Sequence, residues 1–115
     1  FVAIDVNTGK YGGKKTSDET FHLINLEAAG EIALQLRLRQ LSGIILIDFI
    51  NMNNPAFQKE LMDYLQELVS RDSVKTQVID ITPLHIVELT RRKEKKSFQE
   101  QLQSIMGKEN RADDL

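Results

Sequence analysis

Short apolar runs alternate with longer segments of helical periodicity along this chain, and this alternation most constrains its fold. Residues 2–6 and 44–50 are apolar and rich in β-branched side chains, which is typical of strands. The second run is continuous enough to predict a strand covered on both faces. The predicted order is strand, helix, strand, helix, strand, strand. We therefore expect an α/β fold, a mixed sheet of about four strands with two main helices, a short carboxyl-terminal helix and at least one right-handed crossover.

Capping residues predict where the helices begin. Thr16, followed three residues later by Glu19, has the spacing of a capping box, so we expect the first helix to run from there to about residue 41. Asn54 before Pro55 predicts the second start, because proline is favoured at the first helical position. The other elements are predicted as strands at 74–81 and 84–90 and an amphipathic helix at 97–107.

The composition limits the classes of protein to which the chain can belong. Its 115 residues are 41% hydrophobic and 28% charged, which predicts one globular domain with a core that needs no metal or disulfide. Zero cysteines exclude disulfides, thiolate metal sites and cysteine nucleophiles. Because the net charge is -2, any nucleic-acid binding must come from a local basic patch.

The amino terminus and the apolar runs indicate a fragment without a membrane segment. The longest apolar run, residues 44–47, is too short to cross a bilayer, and no signal peptide opens the chain. Residue 1 already begins a strand and is not methionine, which suggests a piece of a larger protein.

Asp5 and Asp48 are ionisable residues within apolar strands. An unpaired carboxylate in such a place is costly, so it must be neutralised, hydrogen-bonded or bound to a cation. If the two strands are parallel neighbours, both aspartates lie toward the carboxyl ends, where α/β sheets bind their ligands. Two oxygen ligands there suit Mg²⁺ or Mn²⁺. The alternative is that each aspartate caps a loop or helix as its strand ends.

Asn7 lies two residues after Asp5 and so points to the same side of the strand. Its amide is able to orient a carboxylate or a phosphate oxygen. The loop that follows, residues 9–15, is rich in glycine and lysine and resembles a phosphate-binding loop. The spacing fails by one position, however, since Lys14 stands where the second glycine is required. Nucleotide hydrolysis is therefore disfavoured.

Other catalytic patterns are weak. His22 and His85 lack metal-ligand spacing and are interpreted as structural or surface residues, and no serine lies in a hydrolase motif. Basic residues cluster in three places and are candidates for contact with a phosphate backbone, although a solvated face is the commoner role of such runs. The clusters are Lys10, Lys14 and Lys15; Arg37 and Arg39; and Arg91, Arg92, Lys93, Lys95 and Lys96.

Five sequence blocks in unbroken order closely resemble the ribonuclease E/G family over roughly residues 1–96. The blocks are IDVNTG at 4–9, NLEAA at 25–29, QLRLR at 35–39, GIILIDFI at 43–50 and VELTR at 87–91. The resemblance implies the catalytic subdomain called DNase I-like in that family at 1–96, followed by the short helix and polar tail at 97–115. Family members are single-strand-specific endoribonucleases that mature ribosomal RNA precursors and initiate messenger RNA decay.

By this resemblance, Asp5 and Asp48 hold the catalytic Mg²⁺, with Mn²⁺ as a substitute, and Asn7 supports the metal or the scissile phosphate. These three are the expected catalytic residues of a metal-dependent hydrolase. The resemblance also implies single-stranded RNA as the partner, and it leads us to expect a homo-oligomer for the full-length protein and a location in the cytoplasm. The residues expected to contact RNA are Lys10, Arg37, Arg39, Lys75, Arg91 and Arg92.

The chain also departs from the family pattern. Asn51 stands where an aspartate is common, and Ser42 and His85 replace residues that are often glycine. The family's S1 domain and 5′-sensing region would precede residue 1. Its two-cysteine zinc link would follow near 104–107, so we expect no zinc in this cysteine-free chain. The alternative function is a non-catalytic RNA-binding or assembly fragment, inactive without the S1 and sensor regions.

Overall fold

The computed structural model describes residues 1–6 and 17–93, and these form a four-stranded mixed sheet with two helices. The elements are β1 Val2–Asp5, α1 Asp18–Leu38, β2 Gly43–Asp48, α2 Pro55–Ser70, β3 Thr76–Ile81 and β4 Ile86–Arg91. The predicted α/β class and order of elements are confirmed over these residues. The helix predicted at 97–107 and the polar tail lie outside the described residues, and the DNase I-like assignment stays a prediction.

Helix α1 begins after Ser17, whose hydroxyl accepts a hydrogen bond from the backbone N–H of Thr20 at 3.4 Å. The predicted start at Thr16 was therefore wrong by one residue. The helix ends at Leu38, three residues earlier than expected. Gln40 has a φ of 51°, which turns the chain away from the helix axis and lets α1 stop before the glycine at 43.

Helix α2 begins as the sequence predicts. Asn54 is its N-cap, with a side-chain oxygen that accepts a hydrogen bond from the backbone N–H of Ala56 at 2.9 Å, and Pro55 occupies the first turn. This capping gives a hydrogen-bond partner to one of the backbone N–H groups that the first turn of a helix leaves free. Pro55 has no backbone N–H, so it needs no such partner.

The strand order in the sheet is β1-β2-β4-β3. Strands β1 and β2 are parallel neighbours, joined through α1, while β4 is antiparallel to both β2 and β3. A β-bulge interrupts the β3–β4 ladder between Val78 and Asp80. The carboxyl ends of β1 and β2 therefore meet the start of β4 at one edge of the sheet, and the end of β4 meets the start of β2 at the opposite edge.

The core lies between the helices and one face of the sheet. Its largest fully buried side chains come from α1, from α2 and from alternate positions of β2 and β4: Leu36, Leu65, Ile45, Ile47, Val87 and Leu89. The other face is open, and Ile44 on it is 46% exposed. The expectation that β2 is covered on both faces was therefore wrong for the described residues, because both helices pack on the same side.

Candidate metal centre at the carboxyl edge of the sheet

Asp5 and Asp48 are direct partners in the parallel ladder between β1 and β2. Neighbouring strands lie about 4.8 Å apart, and side chains at paired positions of parallel strands point to the same face. Asp5 is exposed and Asp48 is half-buried. The topology thus confirms that the two strands are parallel neighbours and brings both aspartates to their carboxyl ends.

Both carboxylates lie on the open face of the sheet, so the sequence-based argument from burial in apolar strands is weakened. Because Asp5 is exposed and Asp48 is only half-buried, the cost of burying a charge is smaller for both than the apolar strands suggest. What the structure provides is two like charges side by side, and no ion pair within residues 1–6 and 17–93 engages either one. Two adjacent carboxylates repel each other, and a cation between them relieves that repulsion.

Within the described residues, the loop after Asp48 and the start of α2 find their hydrogen-bond partners in other side chains. In the loop that follows it, the backbone N–H of Ile50 bonds to the side chain of Asn25, and those of Asn53 and Asn54 bond to Asp18. Helix α2, which this loop enters, is capped by its own Asn54. Among the residues that the structure describes, the side chain of Asp48 therefore caps neither this loop nor α2.

Asn25 and Asp18 of α1 hold that loop, and sequence reasoning missed both roles. Asn25 is fully buried, donating to the carbonyl of Ile50 at 2.9 Å and accepting from its N–H at 3.0 Å. Asp18 accepts from the N–H groups of Asn53 at 2.8 Å and Asn54 at 2.7 Å. The available signal was a polar residue, Asn25, on the apolar stripe of a helix and inside one of the five sequence blocks.

The donor set at this edge fits a hard divalent cation. Among the residues that the structure describes, no group of three or more histidine, cysteine or acidic side chains gathers closely enough to enclose a metal. Two carboxylates without further protein ligands suit Mg²⁺, which usually keeps several waters and shares its shell with substrate phosphates. Asn7, the third predicted catalytic residue, lies outside the described residues, as does Lys10.

The other predicted RNA contacts lie at the opposite edge of the sheet. Gly43, at the start of β2, pairs with Arg91, at the end of β4. The backbone N–H of Arg92 donates to the carbonyl of Lys75 at 2.8 Å, which places these two residues together. Five residue steps along β2, at about 3.3 Å each, separate this edge from Asp48 by about 17 Å. The predicted metal and RNA residues therefore do not form one compact site.

Arg91 is not available to RNA. Its side chain is 3% exposed, and its Nε lies 2.8 Å from Asp72 Oδ2, while Nη1 donates to the carbonyl of Leu41 at 3.1 Å. Burial acts to raise the pKa of Asp72, but hydrogen bonds from Arg91, Val74 and Thr76, with the charge of Arg91, hold that pKa below its ordinary value. Arg91 joins the ends of α1 and α2 to β4, and its proposed RNA contact is corrected to a structural role.

Arg37, Arg39, Lys75 and Arg92 are exposed and keep the charge that an RNA contact requires. Arg37 and Arg39 belong to the end of α1, which Arg91 ties to the same edge through the carbonyl of Leu41. The Nε of Arg39 also donates to the side chain of Gln35 at 3.0 Å. These four residues form a basic edge, a name kept below for this set.

The two histidines have the structural and surface positions that the sequence suggests. His22 is buried between α1 and α2, stacked on Phe57 with 4.5 Å between ring centroids, and its Nε2 lies 3.2 Å from a carboxylate oxygen of Glu60. His85 is exposed in the turn before β4 and has a φ of 62°. That value explains why glycine suits this position, since the left-handed region is unfavourable for other residues.

Comparisons with known proteins show the family to which the chain is similar. The family model described as "Ribonuclease E/G family" matches residues 1–94. The chain is 42% identical over 98 residues to Ribonuclease G of Salmonella typhimurium and of Escherichia coli, which covers 85% of the chain and 20% of each relative. It is 39% identical over 104 residues to a ribonuclease E/G-like protein of Pyropia yezoensis, covering 90% of the chain and 20% of that protein.

The matched region includes Asp5, Asp48, the basic edge and Asn25, which holds the loop after Asp48. The chain spans about a fifth of the length of these relatives. In the described part of the chain, no helix is both long enough and apolar enough to cross a membrane. The match over residues 1–94 of 115 shows that this chain belongs to the ribonuclease E/G family.

Proposed function

We propose that this chain forms the metal-binding catalytic part of a Mg²⁺-dependent endoribonuclease that hydrolyses phosphodiester bonds in single-stranded RNA. The observation that carries the proposal is the register of β1 and β2, which pairs Asp5 with Asp48 at the carboxyl edge of the sheet. The names of the relatives and of the family supply the substrate class, and the paired carboxylates supply the chemistry.

Asp5 and Asp48 would hold the metal ion, and Mn²⁺ would replace Mg²⁺ at the same oxygens. When bound, the metal supplies positive charge to the phosphoryl oxygens and acidifies a water molecule for in-line attack. The aspartates alone repel a phosphodiester, so a cation at this edge is also what would allow RNA to approach. Asn7 is proposed to support the metal or the scissile phosphate.

The rest of the edge is proposed to keep Asp48 in place. The two hydrogen bonds between Asn25 and Ile50 fix the loop two residues beyond Asp48, and the Asp18 carboxylate fixes the loop again before α2. A preorganised carboxylate binds a metal without an ordering cost at the moment of reaction. The basic edge is proposed to hold the RNA backbone at a distance from the cleaved bond.

A cleavage assay on the intact protein tests the proposal. Single-stranded RNA labelled at both ends is incubated at increasing Mg²⁺ concentration with wild type, Asp5→Asn and Asp48→Asn. The matched control is Asp63→Asn, since Asp63 is an exposed acidic residue on α2 that pairs with Lys59 at 2.6 Å. We expect the rate of RNA cleavage to fall at least a hundredfold in Asp5→Asn and in Asp48→Asn. The rate of the control, Asp63→Asn, should equal that of wild type.

The alternative, a non-catalytic RNA-binding or assembly module, gives a different result. Wild-type protein would then bind RNA without cleaving it at any Mg²⁺ concentration, even when the longer protein's other regions are added. Cleavage that survives Asp48→Asn would place the chemistry elsewhere. The cytoplasmic location and the homo-oligomer stay expectations drawn from the resemblance.

A further inference from the structure

A recess opens beside Asp48, between the loop that follows β2 and the turn that precedes β4. Phe49, which lines it, directly follows Asp48, and His85, on its rim, directly precedes Ile86, the ladder partner of Asp48. The recess is therefore one residue away from the metal edge along both strands. Because side chains alternate along a strand, it lies on the helix side of that edge, while Asp48 faces the open side.

The recess has an apolar floor and a polar rim. Phe49, Met52 and Val87 form the floor and are at most 6% exposed. Asn51, Gln58 and His85 form the rim, and Asn51 and His85 are exposed. Gln58 is half-buried, and its amide nitrogen donates a hydrogen bond to the backbone carbonyl of Met52.

This lining selects against most ligand classes. Among the residues that the structure describes, no lysine, arginine, aspartate or glutamate lines the recess, so these residues offer no basic side chain to a free phosphate and no carboxylate to a cation. The recess is open to solvent and has a cavity volume of about 30 Å³, which holds a water or two and excludes a peptide helix. An unpaired nucleobase fits the chemistry, since it has apolar faces and hydrogen-bonding edges, and its edge alone needs to enter.

We propose that this recess binds the edge of an unpaired nucleobase next to the scissile phosphate, with Asn51 and His85 reading its hydrogen-bonding groups. The site rests on the proposed function for the position of the scissile phosphate. His85 has a φ of 62°, so this chain accepts an unfavourable backbone conformation to place an imidazole at the rim. Met52 and Met62 are flexible side chains that adjust the floor to the bound base.

The test is methyl NMR of the intact protein, observed at Met52 and Met62 without divalent cation. The probes are the four ribonucleoside 5′-monophosphates, and inorganic phosphate is the control ligand. We expect saturable shifts with at least one nucleotide and none with phosphate. Shifts that are absent at both methionines, or equally large with phosphate, would overturn the proposal.

Two variants assign the effect to the rim. His85→Gly removes the imidazole and suits the φ of 62°, so we expect an unchanged or higher unfolding temperature together with about fivefold weaker nucleotide binding. Asn51→Ala, at an exposed position, is expected to weaken binding by a similar factor. Wild-type affinity in both folded variants would overturn the proposal.

This test is independent of the cleavage mechanism. If Asp48→Asn keeps full cleavage while the methionine shifts appear, the proposed metal mechanism falls and the base site stands. If Asp48→Asn abolishes cleavage while no shifts appear, the base site falls alone. As a second readout, His85→Gly should reduce the ratio of kcat/KM between RNAs that differ in one base beside the cleaved bond.

Discussion

Asn25 of helix α1 exchanges two hydrogen bonds with the backbone of Ile50, at 2.9 and 3.0 Å, although the two residues are 25 positions apart. The contact is fully buried on the Asn25 side. It ties the first helix to the loop beyond Asp48, so the position of this proposed metal ligand depends on a residue that is not itself proposed to bind the metal.

Replacing Asn25 by leucine is therefore expected to affect stability and activity together. The variant leaves the N–H and carbonyl of Ile50 without their partner in a buried place, which costs about 3 kcal/mol for the two groups. Urea unfolding followed by circular dichroism measures this loss. Asn53→Ala is the matched control, because only the backbone of Asn53 is engaged by α1. If Asn25→Leu lowers the free energy of unfolding by less than about 0.5 kcal/mol, the two hydrogen bonds to Ile50 do not stabilise the fold as proposed.

The buried ion pair between Arg91 and Asp72 predicts a loss of stability in acid. The folded pKa of Asp72 lies below its ordinary value, so the pair stabilises the fold above the unfolded carboxyl pKa of about 3.9. That contribution is lost as the pH falls through the lowered folded pKa. Unfolding free energy measured from pH 5 to pH 2 should therefore fall less steeply for Asp72→Asn than for wild type.

Removing only Arg91 should be costlier than removing both partners. Arg91→Met leaves a buried, unpaired carboxylate at Asp72, and we expect a loss of about 3 kcal/mol. The double variant with Asp72→Leu is expected to recover most of that stability, because well-packed apolar side chains replace a buried pair at little cost. Equal losses in the single and the double variant would show that the pair contributes no coupling.

The basic edge gives a prediction about RNA affinity without a stability effect. Lys75→Gln and Arg92→Gln alter exposed side chains, so the unfolding temperature should stay unchanged. Each variant should weaken the binding of single-stranded RNA and reduce the slope of log K against log salt by about 0.7. Lys59→Gln, an exposed lysine on α2, is the control. Fluorescence anisotropy at several salt concentrations would refute the basic edge if all three behaved alike.

The sequence predicted most of the fold because its local signals agree with the tertiary packing. Apolar runs marked all four strands, and Asn54-Pro55 marked the start of α2 to the residue. The errors lie at boundaries. Ser17 instead of Thr16 caps α1, because two neighbouring hydroxyl residues offer the same capping chemistry, and the positive φ of Gln40 ends the helix early without a glycine to mark it.

The candidate site was predictable in part. Asp5 and Asp48 were recognisable as carboxylates at strand ends, and their pairing followed from the parallel topology. The burial of Arg91 could not be predicted, because its partner Asp72 is 19 residues away. The sequence alone does not distinguish an exposed arginine from a buried one. The hydrogen bonds between Asn25 and Ile50 were equally unpredictable from the sequence, since only folding brings the two residues together.

The central claim is that Asp5 and Asp48 hold one divalent cation between them. Anomalous X-ray diffraction from crystals of the protein soaked in Mn²⁺ measures this directly. We expect a manganese peak that bridges the two carboxylates and that is lost in crystals of Asp48→Asn. Carboxylates that turn apart with no peak between them, or a peak that persists in Asp48→Asn, would contradict it.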